Sequence, residues 1–316
     1  MPWTSNRRLA IAVIAGLTAL VLFVPDPFRA QWAGVLADSA HGPVCGIIAA
    51  IVFRLTASPR RSTHRRWLIA VAATTSLGIA IELVQSQIGR DAQFTDVVTD
   101  FLGALAGGGL SLFFSTRASG YSRWRRHAGL ISALLASALL VAPVAIMAAS
   151  YAARNARFPV LMDGNAMLGA AFVTPYWLEH SRETLPPDAK PLFKGEKGLH
   201  VRATGQPRWS VALGEVQRDW SPYATLVIEL FNPATKSVQL QLRVYDQADG
   251  LVTDLGFETR RTLEPHERVS WRIPLQEMRS ARAPHPIDVR HVHGLLFFSV
   301  TGDPNPDLFV LNMRLE

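Results

Sequence analysis

The hydrophobic pattern divides the chain into two halves. Through residue 150 it consists of five long runs of Leu, Ala, Val and Gly, separated by short polar stretches. Runs of this length and composition are typical of membrane-spanning helices. After about residue 208 the pattern changes to short, partly alternating runs rich in β-branched and aromatic residues, which is typical of strands. The sequence therefore predicts a membrane helix bundle followed by an all-β domain.

Five transmembrane helices are predicted in the first half. The first is preceded by Arg7 and Arg8 and could be a signal peptide, but no small-residue cleavage motif follows it closely, so we interpret it as an uncleaved helix. The predicted helices cover residues 9–24, about 38–55, 67–85, 97–114 and 128–151.

Charge supports a membrane topology. The first 150 residues hold 13 Lys+Arg and 6 Asp+Glu, a net charge of +7, whereas the remainder is balanced at 19 of each. Eleven arginines precede the first helix or lie in the loops 54–66 and 117–126, and the alternate loops hold only Arg29 and Arg90. Because positive loops stay in the cytoplasm, we predict a plasma-membrane or inner-membrane protein with a cytoplasmic N-terminus and an extracytoplasmic β domain. The lipid bilayer is then the partner that explains the basic charge, and we expect no binding to nucleic acid.

A set of polar side chains interrupts the apolar helices and is predicted to lie at the same, outer, face of the membrane. Ionisable residues in such segments are usually functional. Glu82 and Asp96 are candidates for acid/base catalysis, with Arg90 orienting an anionic group of the substrate. The candidate ligand-binding residues of this set are His41, Gln85 and Asp100.

The same residues allow other interpretations. The set could be a polar network that only locks three helices together. A metal held by His41, Glu82 and Asp96 is conceivable because the ligand types fit, but no spacing dictates it, so we predict no metal and no cofactor. Gly103 and Gly107 continue the stripe of Asp96 and Asp100, as small residues do where membrane helices approach closely.

This string of residues resembles a known family. His41, Glu82-x2-Gln85-x4-Arg90-x5-Asp96-x3-Asp100 and the two glycines that follow are similar to the pattern of the VanZ-like membrane proteins, over about residues 1–150. The family usually has Asn where this chain has Asp100, which adds a negative charge here. The resemblance implies a cell-envelope protein of a group sometimes associated with glycopeptide resistance, and it supplies no settled biochemical activity.

The second half is predicted to be a β-sandwich of jelly-roll type. We expect residues 1–151 to form the VanZ-like bundle, 152–207 a linker with early strands, and 208–316 the extracytoplasmic sandwich. A short helix is expected within 274–282. The predicted strands are 224–231, 237–246, 269–273, 292–300 and 308–315.

One stretch of the β domain resembles carbohydrate-binding jelly rolls of the galactose-binding type. It runs from Asp219 through Trp220 and Tyr223 into the strand ATLVIELF and the turn at Asn232. The resemblance implies that Trp220 and Tyr223 stack on a sugar ring, and the alternative is that both are core aromatics. Other candidate aromatics are Tyr176, Trp177, Trp209 and Trp271.

Further ligand sets in the β domain are less specific. His291 and His293 alternate along a predicted strand and could hold a metal, and Asp303, Asn305 and Asp307 could hold Ca²⁺ in a turn. For each set, ordinary surface or core positions are the alternative. The single cysteine, Cys45, is expected to be an apolar core residue.

Three functional hypotheses remain from the sequence. The first is an envelope protein whose β domain binds peptidoglycan, a lipid-linked glycan or an exported polysaccharide. The second is an enzyme that acts on a lipid-linked envelope substrate at the outer leaflet. The third is a structural partner of a larger envelope complex. No phosphate loop, nucleophile elbow or zinc motif decides whether catalysis occurs.

Overall fold

The computed structural model divides the chain into two units, Met1–Ala148 and Ala149–Glu316. The structure describes residues 3–23, 31–87, 93–118, 123–176, 178–203, 209–247, 255–280, 286–299 and 307–316.

Five long helices form where the apolar runs predicted them. Four of them, α2 to α5, contain stretches long and apolar enough to span a membrane. The membrane crossing of α1 remains a prediction. Each helix begins several residues before its predicted apolar run. The helices are α1 Trp3–Phe23, α2 Gln31–Leu55, α3 Thr63–Gln87, α4 Phe94–Ala118 and α5 Arg123–Arg157.

Small residues bring α2 and α4 into close contact. A Cβ atom added at Gly103 would lie 2.9 Å from the Cα of Gly42, and one added at Gly107 would lie 2.7 Å from the Cα of Gly46. Two carbons in contact are normally about 3.5–4.0 Å apart. The expected use of Gly103 and Gly107 for helix packing is therefore confirmed, with α2 supplying the complementary pair.

The second unit consists of two antiparallel sheets, which confirms the predicted β fold. The first sheet has the order β3-β4-β11-β6-β9, with β1 also pairing with β11, and the second has the order β2-β5-β10-β7-β8. The strands are β1 Val160–Asp163, β2 Val173–Tyr176, β3 Leu178–Thr184, β4 Lys197–Ala203, β5 Ser210–Gly214, β6 Thr225–Phe231, β7 Val238–Tyr245, β8 Phe257–Leu263, β9 Arg268–Pro274, β10 Gly294–Ser299 and β11 Asp307–Leu315.

All five predicted strands form, but others were missed. The segment expected to be a linker with early strands carries β1 to β4, which pair into the two sheets. Strand β8, with the sequence FETRRTL, was missed because its polar side chains hide its period. The expected short helix is present as α6, Leu275–Arg279.

The placement of His291 and His293 on a strand is wrong. Strand β10 begins only at Gly294, where its pairing with both neighbouring strands starts. His291 is exposed and its Nδ1 lies 2.6 Å from a carboxylate oxygen of Asp288. The two histidines therefore do not share a strand face.

The last turns of α5 belong to the second unit. The hydroxyl of Tyr151 donates to the Glu215 carboxylate, and the Arg154 guanidinium donates to the Glu215 carbonyl. The same guanidinium lies 4.1 Å from the ring centre of Phe172. A fragment that contains the complete β unit should therefore begin at residue 149.

Candidate functional site

Three helices place ionisable side chains together in the bundle. His41 comes from α2, Glu82 from α3, and Asp96 and Asp100 from α4. One ligand atom from each of His41, Glu82 and Asp96 lies within 4.8 Å of the others. The Nδ1 of His41 lies 3.7 Å from Oδ1 of Asp100. These four residues, which we call the bundle cluster, meet as the sequence predicted.

Hydrogen bonds hold part of the bundle cluster. Asp100 accepts a hydrogen bond from the thiol of Cys45 at 3.1 Å, and Glu82 accepts one from the Gln93 amide at 3.0 Å. Gly78 leaves space for Asp100, because a Cβ atom at Gly78 would lie 3.0 Å from its carboxyl carbon.

Other atoms of the bundle cluster are not satisfied. Within the described part of the chain, Nδ1 of His41, Oε1 of Glu82 and Oδ1 of Asp96 are buried and have no hydrogen-bond partner. A network that only locked helices together would be expected to satisfy these atoms, because each buried, unpaired polar group costs about 1–3 kcal/mol. This arrangement favours a ligand-binding role over a purely structural one.

Gln85 and Arg90 are the other two residues predicted for this site. Gln85 is buried on the same helix face as Glu82, one turn further along α3. Arg90 lies outside the described residues, so its predicted role stays a prediction.

The outer face of the second sheet carries a second candidate site. In β7, Leu240, Leu242 and Val244 point into the core and are fully buried, so Gln241, Arg243 and Tyr245 point to the opposite face. The pairing of neighbouring strands extends this face across all five strands of the sheet, and its side chains form two rows that run across the strands. One row is Tyr176, Ser210, Phe298, Gln241 and Arg260, and the other is Thr174, Ala212, Leu296, Arg243 and Glu258. We call this surface the β2–β8 face.

Polar side chains on the β2–β8 face are held in fixed positions. Arg243 Nε donates to Glu258 at 2.7 Å, and the Gln241 amide donates to the same carboxylate. Arg260 Nε donates to the side-chain oxygen of Gln241 at 3.1 Å. Although they lie on an outer face, Gln241 is 5% exposed and Arg243 is 8% exposed. Recessed, preoriented donors and acceptors of this kind are typical of ligand sites.

Aromatic rings lie beside these polar groups. The ring of Tyr245 crosses Gly294, where a Cβ atom would be 2.8 Å from the phenol carbon Cζ of the tyrosine. Burial raises the pKa of Tyr245 to about 12, and Tyr176 adds to the rise, so the hydroxyl remains a hydrogen-bond donor at neutral pH. Phe298 is half-buried beneath the guanidinium of Arg243 at 5.2 Å. Tyr176 is 36% exposed.

The two aromatics predicted to stack on sugar lie elsewhere. Trp220 is fully buried, and its indole N–H donates to the carbonyl of Gln217 at 2.6 Å. A ring that is fully buried offers no face to a sugar, so Trp220 is a core residue, the alternative that the sequence had left open. Tyr223 is half-buried, with its ring edge against Phe158 at 5.5 Å.

The remaining aromatic candidates are divided by burial. Trp177 lies outside the described residues. Of the other three, Trp209 and Trp271 are buried, and Tyr176 is on the β2–β8 face. The signal that could have located this face is the period-two pattern of VQLQLRVY, which sets Gln241, Arg243 and Tyr245 against three aliphatic residues.

A third cluster is a closed network. His200 Nδ1 lies 3.0 Å from Glu183, its Nε2 pairs with Asp307, and its ring stacks on Phe309 with the ring centres 4.0 Å apart. Hydrogen bonds from Ser181 and then His200 hold the pKa of Glu183 at about 2. Both imidazole nitrogens are therefore occupied. Asp303 and Asn305, the other residues of the expected Ca²⁺ turn, lie outside the described residues.

Comparison with known proteins adds fold likeness only. No protein-family model and no curated protein matches the sequence, so the VanZ-like resemblance stays a prediction. Among solved structures, the chain is similar to a family 11 carbohydrate-binding module from Clostridium thermocellum in complex with a β-1,3-1,4-mixed-linked tetrasaccharide. The identity is 14%, the TM-score is 0.36, and the match covers 49% of this chain and 93% of that one.

Two other solved structures show a similar degree of likeness, one over a quarter of its length and one over nearly all of it. An exo-β-agarase is 17% identical with a TM-score of 0.40, over 50% of this chain and 25% of the agarase. A family 30 carbohydrate-binding module of a Clostridium thermocellum cellulase is 16% identical with a TM-score of 0.32, over 45% of this chain and 92% of the module. At these values the likeness carries no argument about function, which depends on the side chains described above.

Proposed function

We propose that the protein is an integral membrane protein of the cell envelope, of VanZ-like type, whose β domain binds a glycan through the β2–β8 face. The observation that carries this proposal is the row of Tyr176, Phe298, Gln241 and Arg260 across the sheet. Four spacings of about 4.8 Å between strands make the row about 19 Å wide. A surface of that width suits a chain of several sugar units.

The chemistry of the face fits a polyhydroxylated ligand. Aromatic rings offer flat apolar surface to the C–H face of a pyranose. Arg260, Gln241 and Glu258 provide donors and acceptors for hydroxyl groups, and their mutual hydrogen bonds hold them in place before binding. Such preorganisation reduces the entropy lost on binding. Suitable ligands are peptidoglycan, a lipid-linked glycan or an exported polysaccharide.

Binding to immobilised glycans tests the proposal. Fragment 149–316 and the full-length protein in nanodiscs are compared for retention on peptidoglycan and on soluble β-glucans. Tyr176→Ala is expected to weaken binding about tenfold, because loss of about 60 Å² of ring contact is worth about 1.5 kcal/mol. Phe193→Ala is the matched control, since Phe193 is an exposed aromatic outside the β2–β8 face. Retention of no glycan, or equal effects of the two substitutions, would overturn the proposal.

Topology is part of the same proposal. Five crossings with a cytoplasmic N-terminus place the β domain outside the cytoplasm, where envelope glycans are found. A reporter fused after Glu316 should be active only in an extracytoplasmic form, such as alkaline phosphatase. Cytosolic fluorescence from a fusion at the same position would contradict this topology.

A second candidate function is favoured by the unpaired carboxylate oxygens of the bundle cluster. Glu82 and Asp96 each have a carboxylate oxygen with no partner in the described part of the chain. They could act as acid and base on a lipid-linked substrate, with Arg90 holding an anionic group. In this case Glu82→Gln should abolish complementation of a deletion strain under envelope stress while the glycan binding of the protein is retained. Full complementation by this variant would exclude the idea.

A further inference from the structure

The bundle cluster has the composition of a metal site rather than of an acidic patch. Each of α2, α3 and α4 supplies one ligand, His41, Glu82 and Asp96, with ligand atoms within 4.8 Å of one another. Zn²⁺ binds imidazole nitrogen and carboxylate oxygen at about 2.0–2.2 Å, which places ligand atoms about 3–4 Å apart. Small side-chain rotations would close the remaining gap.

An unsatisfied buried carboxylate is the second observation that points to a ligand. Glu82 is 5% exposed, and its Oε1 has no hydrogen-bond partner among the described residues. Oδ1 of Asp96 is also buried and has no hydrogen-bond partner among the described residues. A buried carboxylate that stays ionised is normally paired or coordinates a metal. One cation placed between these residues would satisfy the carboxylates of Glu82 and Asp96 together.

Residues that could orient the metal ligands lie beside them. Asp100 lies 3.7 Å from Nδ1 of His41, which is where a carboxylate orients a histidine that binds metal through its other nitrogen. The second oxygen of Glu82 is held by the Gln93 amide at 3.0 Å, which leaves Oε1 for a ligand. The space at Gly78 admits Asp100 to this position. The matched comparison is His200, whose two nitrogens are both occupied by carboxylates.

We propose that His41, Glu82 and Asp96 bind a divalent first-row transition metal, with Asp100 orienting His41. One nitrogen and two oxygen ligands suit Zn²⁺ or Mn²⁺. Three protein ligands leave at least one coordination position for water or for an oxygen of a substrate. This inference is independent of glycan binding by the β domain, and it assigns Glu82 and Asp96 a role as ligands rather than as free acid and base.

Metal content of the purified full-length protein tests the proposal. The protein in detergent is treated with a chelator, dialysed, and reloaded with Zn²⁺ or Mn²⁺, and bound metal is measured by mass spectrometry. We expect about one ion per chain in the unaltered protein, because one such ligand set lies among the residues that the structure describes. Loss of a residue that orients a metal ligand typically lowers metal affinity roughly 10- to 100-fold, so Asp100→Asn should lower it by about tenfold. Glu82→Gln and Asp96→Asn each remove a ligand and should lower the metal affinity by more than that range.

Two further measurements separate ligand loss from misfolding. Added metal should raise the melting temperature of the unaltered protein and of the control Glu183→Gln, which changes the His200 network, but not that of Glu82→Gln. Bound Co²⁺ should give visible d–d absorption that is lost in His41→Gln. The proposal is overturned if the unaltered protein retains no stoichiometric metal, or if Glu82→Gln and Asp96→Asn retain as much as Glu183→Gln does.

Discussion

The contact between α2 and α4 offers a test in which two effects of the same substitution have opposite signs. Alanine is favoured over glycine in a helix by about 1 kcal/mol, so Gly→Ala should stabilise a helix where space is available. At Gly107, however, the added Cβ atom would lie 2.7 Å from the Cα of Gly46. Because the two carbons need about 3.5–4.0 Å, the helices must separate by about 1 Å.

The expected magnitude follows from these two terms. Overpacking of a well-packed interface costs about 1–3 kcal/mol. Gly16 in α1 is the matched control, because a Cβ atom there meets no atom within 4 Å. The propensity gain is common to both variants, so Gly107→Ala should be about 1–3 kcal/mol less stable than Gly16→Ala. Adding Gly103→Ala should cost less than a second full penalty, since one displacement relieves both overlaps.

Unfolding in mixed micelles measures this difference. The protein in a mild detergent is titrated with SDS, and the loss of helix is followed by circular dichroism for each variant. If Gly107→Ala proves as stable as Gly16→Ala, the close approach of α2 and α4 is refuted. If the double variant shows twice the loss of the single variant, the shared displacement is refuted.

Three further predictions concern the β domain. The Glu196 carboxylate is 4% exposed and is held by the guanidinium of Arg268. Arg268→Met leaves this buried charge without its cation, so the free energy of unfolding of fragment 149–316, measured in urea, should fall by about 3–5 kcal/mol. Arg272→Met, which breaks an exposed ion pair, should cost about 0–1 kcal/mol. The folded-state pKa of Glu183, about 2, is below its ordinary value of 4.5, so its stabilising contribution is present above that value and is lost as pH falls towards 2. Melting curves of Glu183→Gln should lack this part of the pH dependence. Trp220→Ala should destabilise the fragment by about 3–5 kcal/mol, with the glycan affinity of the folded fraction unchanged in equilibrium binding.

Local sequence was sufficient where the signal was long or strongly periodic. The apolar runs placed the helices, and the alternating runs at 224–231 and 308–315 placed β6 and β11. Strand β8 was missed, and the early strands expected within 152–207 could not be given positions, because their pairing with neighbouring strands stabilises them more than their own composition does. The rings of Trp220 and Tyr176 could not be separated by sequence, since burial depends on which neighbours cover each ring.

The sequence by itself determined the division into an apolar helical half and a β half, and the presence of polar groups in the helices. Hydrophobic length and period are properties of a local stretch, so they can be read without knowing the fold. Tertiary structure decided which polar groups meet. Residues from α2, α3 and α4 converge where glycines of the three helices allow close packing. The β2–β8 face exists because five strands pair in one register. Both candidate sites are formed by contacts between residues that are distant in the chain. Such contacts leave no pattern in the local sequence, so only the tertiary structure could locate the sites.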